Sequence, residues 1–201
     1  FLKGLHRDEF DLSLAVPSEC ASQLANGETD IGLIPAIEYQ RIPDLKIIPE
    51  VSISSRREVR TVLFASKVPL SKLRRIALDK SSRSSSVLLR IILESFLGLH
   101  GIKYFSHKPN PEQMLEQFDG ALIIGNPAFR VPRDQFILHD LAHEWYQFTG
   151  LPFVFALWAV RPGINLGQRA SLFLNSKEAG IQSIPQIAKI YAKELNIPQQ
   201  V

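Results

Sequence analysis

An alternation of short apolar strands with helices, carried along nearly the whole chain, constrains the fold most. Residues 31–34 (Ile-Gly-Leu-Ile) and 121–124 (Ala-Leu-Ile-Ile) are near-continuous apolar runs. Runs of this kind are typical of strands buried on both faces, as in parallel sheets. Each follows a helical stretch and an aspartate and stops near a proline, as Leu24…Asp30…Pro35 and as Leu115…Asp119…Pro127. The repetition implies two similar α/β lobes, and strands alternating with helices imply mostly parallel sheets. Further strands are predicted over residues 12–16, 45–51, 61–66, 75–78, 103–106 and 152–160. Helices are predicted over residues 17–24 (with Ser18 as N-cap), 36–40, 84–97, 111–117, 141–148, 168–175 and 184–195. Residues 1–5 read as the end of a helix. In this scheme residues 61–66 carry the chain out of the first lobe and residues 152–160 carry it back. The expected lobes are 1–64 plus 156–201, lacking a first strand, and 65–155. A ligand would lie between them, at the carboxyl ends of the strands.

Composition narrows the function classes. The chain has 201 residues, 45% apolar and 21% charged, and a net charge of +3. These are ordinary values for a water-exposed globular chain. The basic residues are scattered, without the run expected of a nucleic-acid arm. A mild positive excess suits a small anionic ligand. Cys20 is the single cysteine, which excludes an internal disulfide and a CxxC metal site. The longest apolar run, residues 151–160, is too short to cross a bilayer.

One segment carries a concentrated chemical signal. Arg75-Ile76-Ala77-Leu78-Asp79-Lys80 leads into Ser81-Ser82-Arg83-Ser84-Ser85-Ser86 and then Val87-Leu88-Leu89. It reads as strand, serine-rich turn and amphipathic helix. The first amides of a helix lack internal partners and the helix dipole is positive there, so the junction suits a carboxylate or phosphate. The alternative is a helix N-cap supplied with more serines than it needs. On the first reading Ser81, Ser82, Ser84 and Ser85 grip a carboxylate and Arg83 adds a bidentate contact. On the second, Arg83 forms a salt bridge at the cleft edge.

Other candidates are less concentrated. Ser54 and Ser55 precede the strand at 61–66 and could take a second carboxylate or a hydroxyl, or simply form a turn. Asn126 follows a buried strand and could offer its amide to a ligand, or serve a Gly-Asn-Pro turn. Glu38 is a candidate general base, against a first-turn glutamate that only complements the helix dipole. His139 and His143, four apart with Asp140 and Glu144 beside them, have helical metal-ligand spacing. No third His or Cys is suitably spaced, so a metal site is not expected, and Asp140 reads as a helix cap.

Several segments, taken in order, resemble one family. They are Val16-Pro17-Ser18-Glu19, the run from Asp30 through Pro35 to Tyr39, Ser52-Ile53-Ser54-Ser55, Val59-Arg60-Thr61-Val62-Leu63, the run from Ala77 to Ser85, and Thr149-Gly150-Leu151-Pro152-Phe153 through Trp158. The chain resembles the menaquinone-biosynthesis family of the futalosine pathway, in its chorismate dehydratase branch, over most of residues 12–162. The resemblance implies a two-lobed fold like that of type 2 periplasmic binding proteins with a central cleft. It implies a cytoplasmic hydro-lyase that converts chorismate to 3-[(1-carboxyvinyl)oxy]benzoate, with no metal or organic cofactor. The expected partner is the small anionic substrate, without nucleic acid or membrane; the oligomeric state stays open, a homodimer included. The alternatives are a non-catalytic solute-binding protein for a small carboxylate and the sister 1,4-dihydroxy-6-naphthoate synthase. Family members carry a strand and a Tyr-Leu-Asn-Thr-like turn before the first helix, with an active-site Asn, and continue past the point matching Val201. The sequence therefore reads as part of a longer protein in preference to a degenerate relative of the family. Asn126 stands where the family pattern leads one to expect an acidic residue.

Overall fold

A computed structural model describes residues 9–195. It contains a three-stranded and a five-stranded sheet, each covered by helices on both faces. The first sheet has the order β1-β8-β2, formed by β1 (Ile31–Pro35), β8 (Phe153–Val160) and β2 (Lys46–Ser55). The second has the order β5-β4-β6-β3-β7, formed by β3 (Val62–Ser66), β4 (Arg75–Asp79), β5 (Lys103–His107), β6 (Gly120–Ile124) and β7 (Ile137–Asp140). The helices are α1 (Pro17–Asn26), α2 (Arg83–Arg90), α3 (Pro111–Gln117), α4 (Leu141–Thr149), α5 (Ala170–Gln182) and α6 (Ile184–Leu195). The chain is an α/β protein with two lobes.

Period-two alternation sorts the strand residues onto the two faces of each sheet. In the five-stranded sheet Val62, Phe64, Ile76 and Leu122 face α2 and α4 through Leu88, Leu89, Leu141 and Ala142. Leu63, Ala65, Ala77, Ala121 and Ile123 face α3 through Met114 and Leu115. In the three-stranded sheet Trp158 and Val160 pack on Phe173 of α5, whereas Leu157 and Ala159 pack on Ala21 and Leu24 of α1.

Strand direction departs from the expectation of mostly parallel sheets. Among the described residues, only β4 with β5 and β4 with β6 pair in parallel. The pairs β1–β8, β2–β8, β3–β6 and β3–β7 are antiparallel. The reason lies in the connections. β4, α2, β5, α3 and β6 form βαβ units, whose crossover helices impose parallel strands. β3 and β8 instead enter their sheets from the other lobe, so they run against the strands they meet.

Several boundaries also differ. Residues 12–16 form no strand, and Leu14 is largely exposed at 84%; the segment has no ladder partner among the described residues. The helix α1 starts at Pro17 as expected, but its N-cap is Val16 and not Ser18, because Pro suits the first helical position. The helix that starts at Arg83 turns π-helical over Ile91–Phe96. The strand β7 has no counterpart in the sequence reading. The helix end expected over residues 1–5 lies outside the described residues.

Candidate functional site

β4 is the central parallel strand of its sheet, and its last residue, Asp79, is buried. The turn that follows is built on this carboxylate. Oδ1 of Asp79 accepts hydrogen bonds from the Ser81 amide at 2.9 Å and the Ser81 hydroxyl at 2.6 Å. Local bonds of this type stabilise a turn just before a helix. Ser82 is then the N-cap of α2, accepting from the Ser85 amide at 3.4 Å. The Ser86 hydroxyl donates back to the Ser82 carbonyl at 2.7 Å. The serine run thus spends many of its polar groups on the turn itself.

The remaining contacts reach into the other lobe. The Ile37 amide, in the short 3-10 turn that follows β1, donates to the Ser84 hydroxyl at 3.3 Å. Glu38, in the same turn and buried, receives Arg83 on Oε2 at 3.0 Å and Arg41 on Oε1 at 2.8 Å. Arg83 also donates to the Ser22 hydroxyl of α1 at 3.2 Å. The start of α2 is thereby tied to α1 and to the turn after β1.

Beside this junction lies a cleft of about 230 Å³. Arg41, Asp79, Lys80, Ser82, Arg83 and Ser106 contribute to its wall. With Glu38 bound to Arg83 and Arg41, three cationic groups stand against two carboxylates, a net charge of one that still favours anions. Ser106 joins it because β5 runs parallel to β4, pairing Leu78 with Ser106.

The predicted residues fall into two groups. Ser82 and Arg83 line the cleft; Ser81 lies in the turn before them, and Ser84 and Ser85 are buried in the first turn of α2, outside the wall. Ser54, Ser55 and Asn126 are not part of its wall. Ser54 is exposed near the end of β2, and the Ser55 hydroxyl donates to the Glu58 carbonyl at 2.9 Å. Asn126 is exposed and opens a 3-10 turn after Gly125. Gly125 has φ 67° and ψ −151°, a region that only glycine enters without strain. The sequence reading left Arg41, Asp79, Lys80 and Ser106 unassigned. Lys80 and Asp79 adjoin the serine run, and Arg41 stands three residues after Glu38, a spacing that pairs opposite charges on a helical turn. Ser106 had no such signal, since its place depends on strand pairing.

Other reactive side chains are engaged elsewhere. Burial raises the Cys20 thiol above its ordinary value, so it stays protonated. His139 binds Glu144 through Nδ1 at 2.8 Å. Among the described residues, no three His, Cys, Asp or Glu side chains converge on a metal position. No helix of the described residues is long and apolar enough to cross a membrane.

Comparison with known proteins decides the family. The family model described as menaquinone biosynthesis matches residues 1–201. The chain belongs to this menaquinone-biosynthesis family. A chorismate dehydratase from Thermus thermophilus is 28% identical over 215 residues, covering 96% of this chain and 77% of the relative. Among solved structures, protein AF1704 from Archaeoglobus fulgidus aligns with a TM-score of 0.69 at 17% identity, over 94% of this chain and 72% of its own. The periplasmic aliphatic sulphonate binding protein SsuA from Escherichia coli aligns with a TM-score of 0.59 at 16% identity, over 92% and 67%. These structural likenesses show the fold, that of the two-lobed periplasmic binding proteins. The family member described here therefore has that architecture and a role in menaquinone biosynthesis.

Proposed function

We propose that the chain is a chorismate dehydratase, a hydro-lyase that converts chorismate to 3-[(1-carboxyvinyl)oxy]benzoate in the futalosine pathway. The observation that carries this reading is the cleft of about 230 Å³ whose wall holds Arg41, Lys80 and Arg83 at the start of α2. Chorismate carries two carboxylates, which three cationic groups suit. The named relative adds weight to the choice of substrate.

The reaction removes the proton next to the ether oxygen and the allylic hydroxyl, which leave together as water. The ring becomes aromatic, so the step is strongly downhill and asks mainly for positioning. In this reading Arg83, Lys80 and Arg41 hold the carboxylates, and Ser82 with its neighbours Ser81, Ser84 and Ser85 fixes the rim. Glu38 orients Arg83 and Arg41. With Glu38 committed to two guanidinium groups, the substrate's own side-chain carboxylate is the proton acceptor we favour. Ser54, Ser55 and Asn126 stand outside this subsite. The lobes we assign follow the two sheets, residues 9–61 with 153–195 and residues 62–152, so the crossings fall just before β3 and β8 rather than at 64/65 and 155/156. In this reading the protein works in the cytoplasm.

The test is to incubate the protein with chorismate and follow the aromatic product by absorbance and mass, which falls by one water. Chorismate that binds in calorimetry yet stays unchanged would overturn the hydro-lyase reading. It would favour a solute-binding protein for a small carboxylate, a reading the shared fold with SsuA keeps in view. Turnover of a different substrate of the same pathway, with chorismate ignored, would point to the sister synthase.

A further inference from the structure

Asp79 is the unusual member of the cleft wall. It is 1% exposed, and its Oδ2 is buried with no hydrogen-bond partner. Oδ1 alone serves the turn, through the two bonds from Ser81. None of the ion pairs of the described residues includes it, although Lys80, Arg83 and Arg41 share the same wall. Leaving a buried carboxylate oxygen unsatisfied is costly, and such atoms are rare in folded proteins. A turn needs only one oxygen of an aspartate, and an asparagine supplies that equally well. The second oxygen therefore has work that the turn does not explain.

The surroundings say which partner would fit. A ligand carboxylate suits the three cations but is repelled by Asp79. A hydroxyl on the same ligand suits Asp79 and gains a charge-assisted hydrogen bond. We infer that Asp79 is a specificity-determining contact, with Oδ2 accepting a hydrogen bond from the substrate's ring hydroxyl. The cleft then selects a carboxylate that bears a hydroxyl over the same carboxylate without one. This deepens the reading of the chain as a chorismate dehydratase and rests on it. Chorismate has that hydroxyl and the dehydrated product does not, so Asp79 loses its partner when water is eliminated. The product is then held less tightly than the substrate.

The experiment compares the wild-type protein with Asp79→Asn, using chorismate as substrate and 3-[(1-carboxyvinyl)oxy]benzoate as inhibitor. Asparagine keeps a carbonyl for the Ser81 amide but replaces the anionic acceptor. A site built to bond a hydroxyl discriminates strongly against ligands lacking it. The KM for chorismate is expected to rise about tenfold or more on the strength of one lost charged hydrogen bond. The inhibition constant of the product is expected to change less than about twofold, since it never made that bond. Equal changes in both constants, or no change in either, would overturn the assignment. Ser81→Ala removes a bond to Oδ1 only, and its ratio of the two constants is expected to match the wild type; a shift like that of Asp79→Asn would also overturn it. Should Asp79→Asn fail to fold, the wild type decides alone, because a product that binds as tightly as chorismate contradicts the inference. Wild-type protein that ignores chorismate brings down the dehydratase reading and this inference with it. Wild-type turnover with an unmoved ratio in Asp79→Asn removes only the role of Asp79.

Discussion

Glu38 divides its carboxylate between two arginines, and one of them, Arg83, belongs to the opposite lobe. Arg83 and Arg41 both remain part of the cleft wall, so the glutamate holds them where an anion arrives. Glu38→Gln keeps the shape and removes the charge. Partly exposed pairs of this kind contribute on the order of 1 kcal/mol, so the KM for chorismate should rise roughly fivefold. Initial-rate kinetics check this, and kcat should fall less than KM rises. At this scale the sequence was legible where chemistry is local. The serine run, its cap and the two options for Arg83 are visible in residues 81–86, and Arg83 takes the salt bridge while still lining the cleft. What stayed hidden is set by distant partners. Glu38 looked like a first-turn glutamate because nothing near it in sequence announces Arg83, and Ser106 needed the β4–β5 register.

Among the elements, α4 depends on one aspartate. Oδ1 of Asp140 caps the helix through the Ala142 and His143 amides at 3.0 and 3.2 Å. Oδ2 accepts from the Val59 and Arg60 amides at 2.9 and 2.6 Å, in the connection between β2 and β3. Asp140→Ala loses both roles and should destabilise the protein by roughly 2–4 kcal/mol, whereas Asp140→Asn should cost about half of that; urea denaturation measures both. The same helix holds Glu144, whose pKa lies below its ordinary 4.5 mainly because His139 hydrogen-bonds to it. A depressed folded value stabilises the protein above the unfolded value, and that stabilisation is lost as pH falls through the folded one. Denaturant midpoints should therefore drop below about pH 4.5 less steeply in Glu144→Gln than in the wild type. Gly120 in β6 tests packing, since an added Cβ would stand 2.6 Å from the Phe64 ring. Gly120→Ala should cost about 1–3 kcal/mol in the same assay, because Phe64 is buried and has little room to move. Helix starts with strong signals were readable, as at Pro111 and Asp140. β7 was not, because Ile137-Leu138-His139-Asp140 is short and half polar and becomes a strand only by pairing with β3.

For the whole molecule, the apolar runs and their repetition made the two lobes legible, but not the direction of every strand. Periodicity reports burial, and an antiparallel strand covered by helices on both faces, such as β3, reads as continuously apolar as a parallel one. The direction of β3 and β8 follows from which lobe they come from, a property of the complete path. A property that depends on the assembled cleft is its charge. Three cations around an anionic ligand act over distances that salt screens, so raising ionic strength from about 0.05 to about 0.5 M should weaken chorismate binding several-fold. Calorimetry at the two salt levels checks this, and a salt-independent affinity would speak against the cationic wall as the binding surface. The bonds of Asp140 also reach beyond stability. One carboxylate fastens the outgoing strap to the foot of the helix that leads the chain home, so neither strap can slacken by itself. Cutting that knot would loosen both crossings together rather than one at a time.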